Sequence, residues 1–169
     1  MSQPPATPPS DVIDVRRDEG FDETRVAAFL RGKLPGSERP LTVRQFAGGH
    51  ANLTYQLRFG EGDDAVEYVL RRPPLGPVAP GSHDMSREHR VLSVLWKAFP
   101  LAPRSFLFCD DASILGAPFF VMERRRGIVV RGAIPPEFGG GADAESNRKL
   151  AQVVVDVLAS SEVSVSLTL

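Results

Sequence analysis

Four short stretches of this chain carry groups that could meet a phosphate or a planar base. The first is Phe46-Ala47-Gly48-Gly49-His50-Ala51-Asn52-Leu53-Thr54-Tyr55. Gly48 and Gly49 have no Cβ, so their amides can approach an oxyanion closely, and successive N–H groups can form an anion-binding nest. A glycine pair between two strand-like runs is also a hairpin turn, the commoner use of such a pair taken alone. The second stretch is Tyr68-Val69-Leu70-Arg71-Arg72-Pro73-Pro74. Strand alternation sends one of Arg71 and Arg72 inward and the other to solvent, and an inward cation requires an anionic partner. The alternative is that both lie in water at the strand end.

The third stretch supplies a partner. Glu88 falls on the same helical stripe as Met85, Leu92, Leu95 and Trp96, because residues three and four apart share a face. A carboxylate on an apolar stripe is costly unless paired, and Arg71 on the preceding strand is the candidate. A carboxylate in a first helical turn also suits the helix dipole without any partner. The fourth stretch, Gly116 to Glu123, runs from apolar strand to polar loop. It reads as an ordinary core strand, or as an edge whose backbone meets a planar base between Val121 and Met122. Arg124-Arg125-Arg126 reads as a solvated face. His50, His83, His89 and Cys109 lack metal-ligand spacing, which argues against zinc, and no G-x-S-x-G nucleophile elbow occurs.

These residues need elements to hold them. Residues 1–20 are rich in proline and charge and read as a disordered lead-in. Phe21 to Leu34 reads as a helix capped by Asp22, with Phe21 and Val26 at the spacing of a hydrophobic staple. Leu41, Val43 and Gln45, then Tyr55, Leu57 and Phe59, then Val66 to Leu70 alternate as three strands of an antiparallel meander. Met85 to Phe99 is the clearest helix, with Asp84 as its cap. Phe106 to Phe108 and Gly116 to Met122 add two strands. The expected fold is α+β, a five-stranded antiparallel sheet with one inserted helix. Residues 128–142 read as a linker. In residues 143–169, Asp143 caps a helix with an apolar face of Leu150, Val153, Val154, Val157 and Leu158. Val163 to Leu169 alternates like a strand.

Bulk properties narrow the class. The chain has 169 residues, 42% of them hydrophobic and 24% charged, with a net charge of −1. That balance is globular and lacks the basic excess of a nucleic-acid binder. No run approaches the roughly 18 apolar residues of a membrane span. The single cysteine, Cys109, excludes an internal disulfide, and the start has no secretory pattern. A cytoplasmic location is expected, with no nucleic-acid or membrane partner.

Taken in order, the stretches resemble the N-terminal lobe of the protein-kinase-like fold. More narrowly they resemble the aminoglycoside phosphotransferase-like family, in the branch related to the domain fused to acyl-CoA dehydrogenases. Ser82 to Leu92 and Pro118 to Glu123 carry this likeness together with the glycine and Arg71 stretches, over residues 21–127. The resemblance implies that ATP is the cofactor and that an unknown small molecule with a hydroxyl is the acceptor. It implies that Gly48, Gly49 and Asn52 lie over the phosphates. Arg71 would stand where kinases place a phosphate-binding lysine, held by Glu88, while Met122 and the backbone of Glu123 and Arg125 border the base. Arg in place of Lys departs from the wider kinase pattern. In the family, the catalytic aspartate and the Mg2+ ligands come from a second lobe, through a His-Gly-Asp-type loop, and no such tripeptide occurs here. The expectation is a truncated nucleotide lobe, inactive alone and without catalytic residues. The competing expectation is a non-catalytic module whose C-terminal apolar helix and strand dock a protein partner or a second copy.

Overall fold

The computed structural model describes residues 11–48, 51–77, 82–127 and 133–166. Two compact units are present, one of Met1–Ser93 with Pro103–Arg124 and the other of Val94–Ala102 with Arg125–Leu169. The first unit is built on one antiparallel sheet of six strands in the order β1-β2-β3-β4-β6-β5. They are β1 Val12–Ile13, β2 Leu41–Phe46, β3 Leu53–Phe59, β4 Val66–Arg72, β5 Ser105–Cys109 and β6 Phe119–Glu123. The helices are α1 Glu23–Leu30, α2 Met85–Ala98, α3 Ala112–Leu115 and α4 Ala144–Ser166. The meander β2-β3-β4 and the insertion of α2 follow the sequence expectation.

Register sorts the side chains onto two faces, because directly paired residues of antiparallel strands share a face. Tyr55 lies opposite Leu70, and Leu70 opposite Val121. Leu57, Phe59, Tyr68 and Phe119 continue this first face, which α1 and α3 cover with Val26, Leu30 and Leu115. Leu57, Leu70 and Val121 are completely buried. Phe21 meets the Tyr55 ring edge-on at 5.0 Å. The second face carries Thr54, Gln56 and Arg58 on β3, Glu67, Val69 and Arg71 on β4, and Phe120 and Met122 on β6.

Four expectations change. The sheet has six strands, because Val12–Ile13 of the proline-rich lead-in pairs with Phe46 and Gln45. The first helix is shorter: Asp22 caps it as expected, but Arg31 leaves helical geometry at ψ 124° and Gly32 turns at φ +72°. Gly116 is not in a strand. It closes α3 in the left-handed conformation, φ +85°, while Asp111 caps that helix by accepting the Ser113 N–H at 2.9 Å. The alternating tail is helical as far as Ser166, with residues 167–169 outside the described part. An isolated strand gains nothing without a neighbour to pair with, whereas a helix already nucleated extends by one hydrogen bond per residue. Asp143 nucleates it by accepting the Ser146 and Glu145 N–H groups at 2.9 and 3.3 Å. Among the described residues no helix is long and apolar enough to cross a membrane.

Candidate functional site

The site is assembled on the second sheet face, where α2 meets β3 and β4. Asp84 starts α2 by accepting the Arg87 N–H at 3.0 Å, and that bond, with one from Ser86, holds its carboxyl below the usual range. The cap fixes the phase of the helix, so Glu88, one turn further on, points back at the sheet. Its Oε2 lies 3.1 Å from Nε of Arg71. The Arg71 Nε–H is buried and is not aligned for a hydrogen bond, so this contact is an ion pair by distance. Arg71 and Glu88 keep about a third of their side-chain surface exposed, 34% and 29%. The pair can therefore be reached by a ligand. Arg72 points the other way, is 3% exposed, and donates to the Leu115 carbonyl at 3.2 Å. Alternation separates them, and Arg71 is the cation on the open face.

Asn52 completes the arrangement. It is 6% exposed, at the start of β3, and its Nδ2 donates to Glu88 Oε1 at 3.0 Å. Its Oδ1 lies 2.6 Å from Nδ1 of His83. Thus Asn52, Arg71 and Glu88 come together, and His83 joins them. His83 has no metal-ligand or catalytic spacing in the sequence. The available signal was positional, since it stands just before the cap Asp84 and five residues before Glu88.

The other expected residues are placed differently. Gly48 is partly exposed, two residues beyond the end of β2, and Gly49 lies outside the described residues. Before them, Ala47 donates its N–H to the Asp11 carbonyl at 3.2 Å and accepts from Arg16 at 3.1 Å. The stem of the glycine segment is thereby fixed to the lead-in. Met122 is half-buried beside Val69 on the second face. The Glu123 N–H is engaged with the Arg104 carbonyl at 2.8 Å, and its carboxylate accepts the Arg104 N–H at 3.2 Å. Glu123 therefore ties β6 to the lead into β5, and its N–H is committed there. Arg125 belongs to the second unit, where its guanidinium donates to the Pro100 and Ala102 carbonyls at 2.9 and 3.1 Å.

One arginine of the triplet is not solvated. Arg124 has 11% of its side chain exposed and pairs with Glu67 at 2.9 Å and Asp11 at 3.0 Å. It forms one wall of a cleft of about 510 Å3 on the second face, whose other walls include Asp11, Thr42, Arg44, Gln56 and Arg58. Three guanidinium groups and the carboxylates of Asp11 and Glu61 line it, so the cleft suits a polar ligand; Met122 and Glu123 are not among its walls.

A carboxylate on an inserted helix, paired to a cation on the third meander strand, can hold that cation toward a phosphate. Residues 42–160 match the sequence profile of the phosphotransferase enzyme family. The chain belongs to that family. Its relatives include acyl-CoA dehydrogenase family member 11 of Gallus gallus, 38% identical over 131 residues, which is 75% of this chain and 16% of that protein. The Homo sapiens protein of the same name is 35% identical over 134 residues, 76% of this chain and 16% of the relative. The chain thus spans about a sixth of the length of these relatives. A crystal structure of a candidate aminoglycoside phosphotransferase from Ralstonia eutropha superposes with a TM-score of 0.53 at 29% identity, over 66% of this chain and 30% of that one. The α+β lobe described above is therefore the kinase-like N-terminal lobe of a phosphotransferase-family protein.

Proposed function

We propose that this lobe binds ATP, with Arg71 as the phosphate-holding cation, Glu88 as the carboxylate that aims it and Asn52 as the clamp on Glu88. The ion pair at 3.1 Å carries this reading. The residues fit the group: the Arg71 side chain keeps 34% of its surface exposed on the open face beside Glu88, and a guanidinium makes charge-assisted hydrogen bonds to phosphate oxygens. Bound ATP would supply the phosphoryl group for transfer to a hydroxyl of a small-molecule acceptor. The residues of this chain bind and orient the phosphates. Glu88 is committed to Arg71 through Oε2 and to Asn52 through Oε1. The 169 residues contain no His-Gly-Asp tripeptide, and we expect little or no transfer by this chain alone.

Titration with Mg-ATP, followed by calorimetry and thermal shift, tests the reading. Loss of a charge-assisted phosphate contact, worth about 1.5–3 kcal/mol, should weaken binding by roughly 10- to 100-fold in Arg71→Ala. Equal affinity of wild type and Arg71→Ala, or no binding by the folded wild type, would refute it.

A second reading rests on α4. Val153, Val154, Val155 and Leu158 are each more than half exposed, and such an apolar surface suits a protein partner or a second copy. Light scattering decides: self-association lost in Val154→Glu with the fold intact supports it, while a wild-type monomer at high concentration removes the second copy.

A further inference from the structure

The entry of α2 is held in an unusual way. In α1 the residue before the cap, Phe21, and the residue four into the helix, Val26, both pack into the apolar core. In α2 the equivalent positions are His83 and Glu88, and both bond the single side chain of Asn52, at 2.6 and 3.0 Å. This is a polar counterpart of the hydrophobic staple. It is directional where the apolar version is not. Glu88 as a carboxylate only accepts, so Asn52 must present Nδ2 to it, which leaves Oδ1 facing His83. His83 must therefore carry its proton on Nδ1 and donate.

His83 also has φ +58°, the only positive value among the described non-glycine residues. A non-glycine residue persists there only where its surroundings compensate the strain. The bond to Asn52 is the compensation the structure offers, and its effect is felt at Glu88.

We infer that His83 is a positioning residue for the phosphate site: by donating Nδ1–H to Asn52 it fixes the amide that holds Glu88 against Arg71. The inference concerns the relay His83–Asn52–Glu88–Arg71 and rests, for its functional consequence only, on the ATP reading above. A merely structural turn residue would behave differently. Replacing it by Gly would relieve the positive φ and leave Arg71 undisturbed.

The test uses the whole chain with His83→Gly and His83→Asn. Asn tolerates positive φ and carries an N–H donor one bond beyond Cγ, as Nδ1 of His does. The first readout is solvent exchange of the Arg71 Nε–H by 15N NMR, assigned by its absence in Arg71→Lys. Exchange should accelerate in His83→Gly and return toward wild type in His83→Asn, with Tm held within about 3 °C throughout, because a sub-kcal change moves Tm by only a few degrees. Unchanged exchange in His83→Gly, or acceleration that Asn does not reverse, would overturn the inference. The second readout is Mg-ATP affinity, expected to fall roughly 3- to 30-fold in His83→Gly and to recover in His83→Asn. If exchange responds as expected but no protein binds Mg-ATP, the relay stands and the nucleotide reading falls. If Mg-ATP binds with equal affinity in wild type and His83→Gly, the positioning role falls and the nucleotide reading survives.

Discussion

Replacing Gln45 by leucine tests how the lead-in is attached to the sheet. Gln45 is 1% exposed and sits on the apolar face of β2. Its Oε1 accepts the Arg16 N–H at 3.0 Å, and its Nε2 donates to the Glu19 carboxylate. Leucine fills the space but orphans the Arg16 N–H and removes one of the two hydrogen bonds to Glu19. An unsatisfied group costs about 1–3 kcal/mol, and Glu19 retains the Arg16 guanidinium at 2.9 Å. The added apolar burial returns about 1 kcal/mol. With about 1 kcal/mol more for the hydrogen bond that Glu19 loses, the net loss is about 1–3 kcal/mol, or a Tm drop of roughly 2–12 °C for a domain of this size. Urea unfolding by circular dichroism measures it at pH 7. The pH dependence adds a sign. The hydrogen bond from Gln45, then that from Arg16, depresses the Glu19 pKa, so its contribution is present above the unfolded value. That contribution is lost as pH falls through the folded value. The gap between wild type and Gln45→Leu should therefore shrink on acidification below about pH 4.5, the value for a free glutamate. A difference below about 0.5 kcal/mol at pH 7, or a gap that widens in acid, would refute the reasoning.

Two further outcomes follow from single side chains. Burial lowers the pKa of His89, whose Nδ1 lies 2.8 Å from Ser105 Oγ and whose ring stacks on Phe108. The neutral form is therefore favoured on folding, and stability should fall as pH drops below about 6.5, the unfolded value, toward the folded one. Melting curves at pH 7.5 and 5.0 should show a smaller acid loss in His89→Gln than in wild type. Cys109 is 5% exposed and its thiol pKa is raised, chiefly by burial, so a disulfide reagent at pH 8 should react only as fast as the chain unfolds. Immediate stoichiometric labelling of the folded chain would contradict that placement.

What the sequence revealed, and what it hid, divides by the range of the interaction. The three meander strands and α2 were legible because alternation and helical spacing lie within one segment. Alternation showed that Arg71 and Arg72 face opposite ways, but which of them faces the open side is set by the packing of Arg72 against Leu115. Arg124 was not legible, because three identical residues in a row carry no pattern. What separates Arg124 from its neighbours is pairing: Tyr68 lies opposite Glu123, which brings Glu67 beside the next residue along. The strand at Val12–Ile13 was hidden for a similar reason. Two residues show no period, and their position depends on Gln45 and Ala47, some thirty residues away. The helical tail was misread because valine–serine alternation describes a strand only where a neighbouring strand exists to pair with.

The Asn52 clamp gives the Arg71–Glu88 pair its asymmetry. A free ion pair resists a ligand, since an incoming phosphate must draw the cation away from its carboxylate. Here Glu88 has two oxygens in two uses, Oε2 beside Arg71 and Oε1 bonded to Asn52. If the guanidinium turns toward an anion, the bond to buried Asn52 keeps Glu88 from following it. The cation can then change partner while its carboxylate stays. Asn52→Ala should accordingly weaken Mg-ATP binding with Arg71 and Glu88 both present, by about the same factor as His83→Gly. Calorimetry on the two single variants and the double variant measures this. Because both act through one relay, the double variant should bind no more weakly than Asn52→Ala alone. Additive losses would show that His83 and Asn52 reach Arg71 by separate routes.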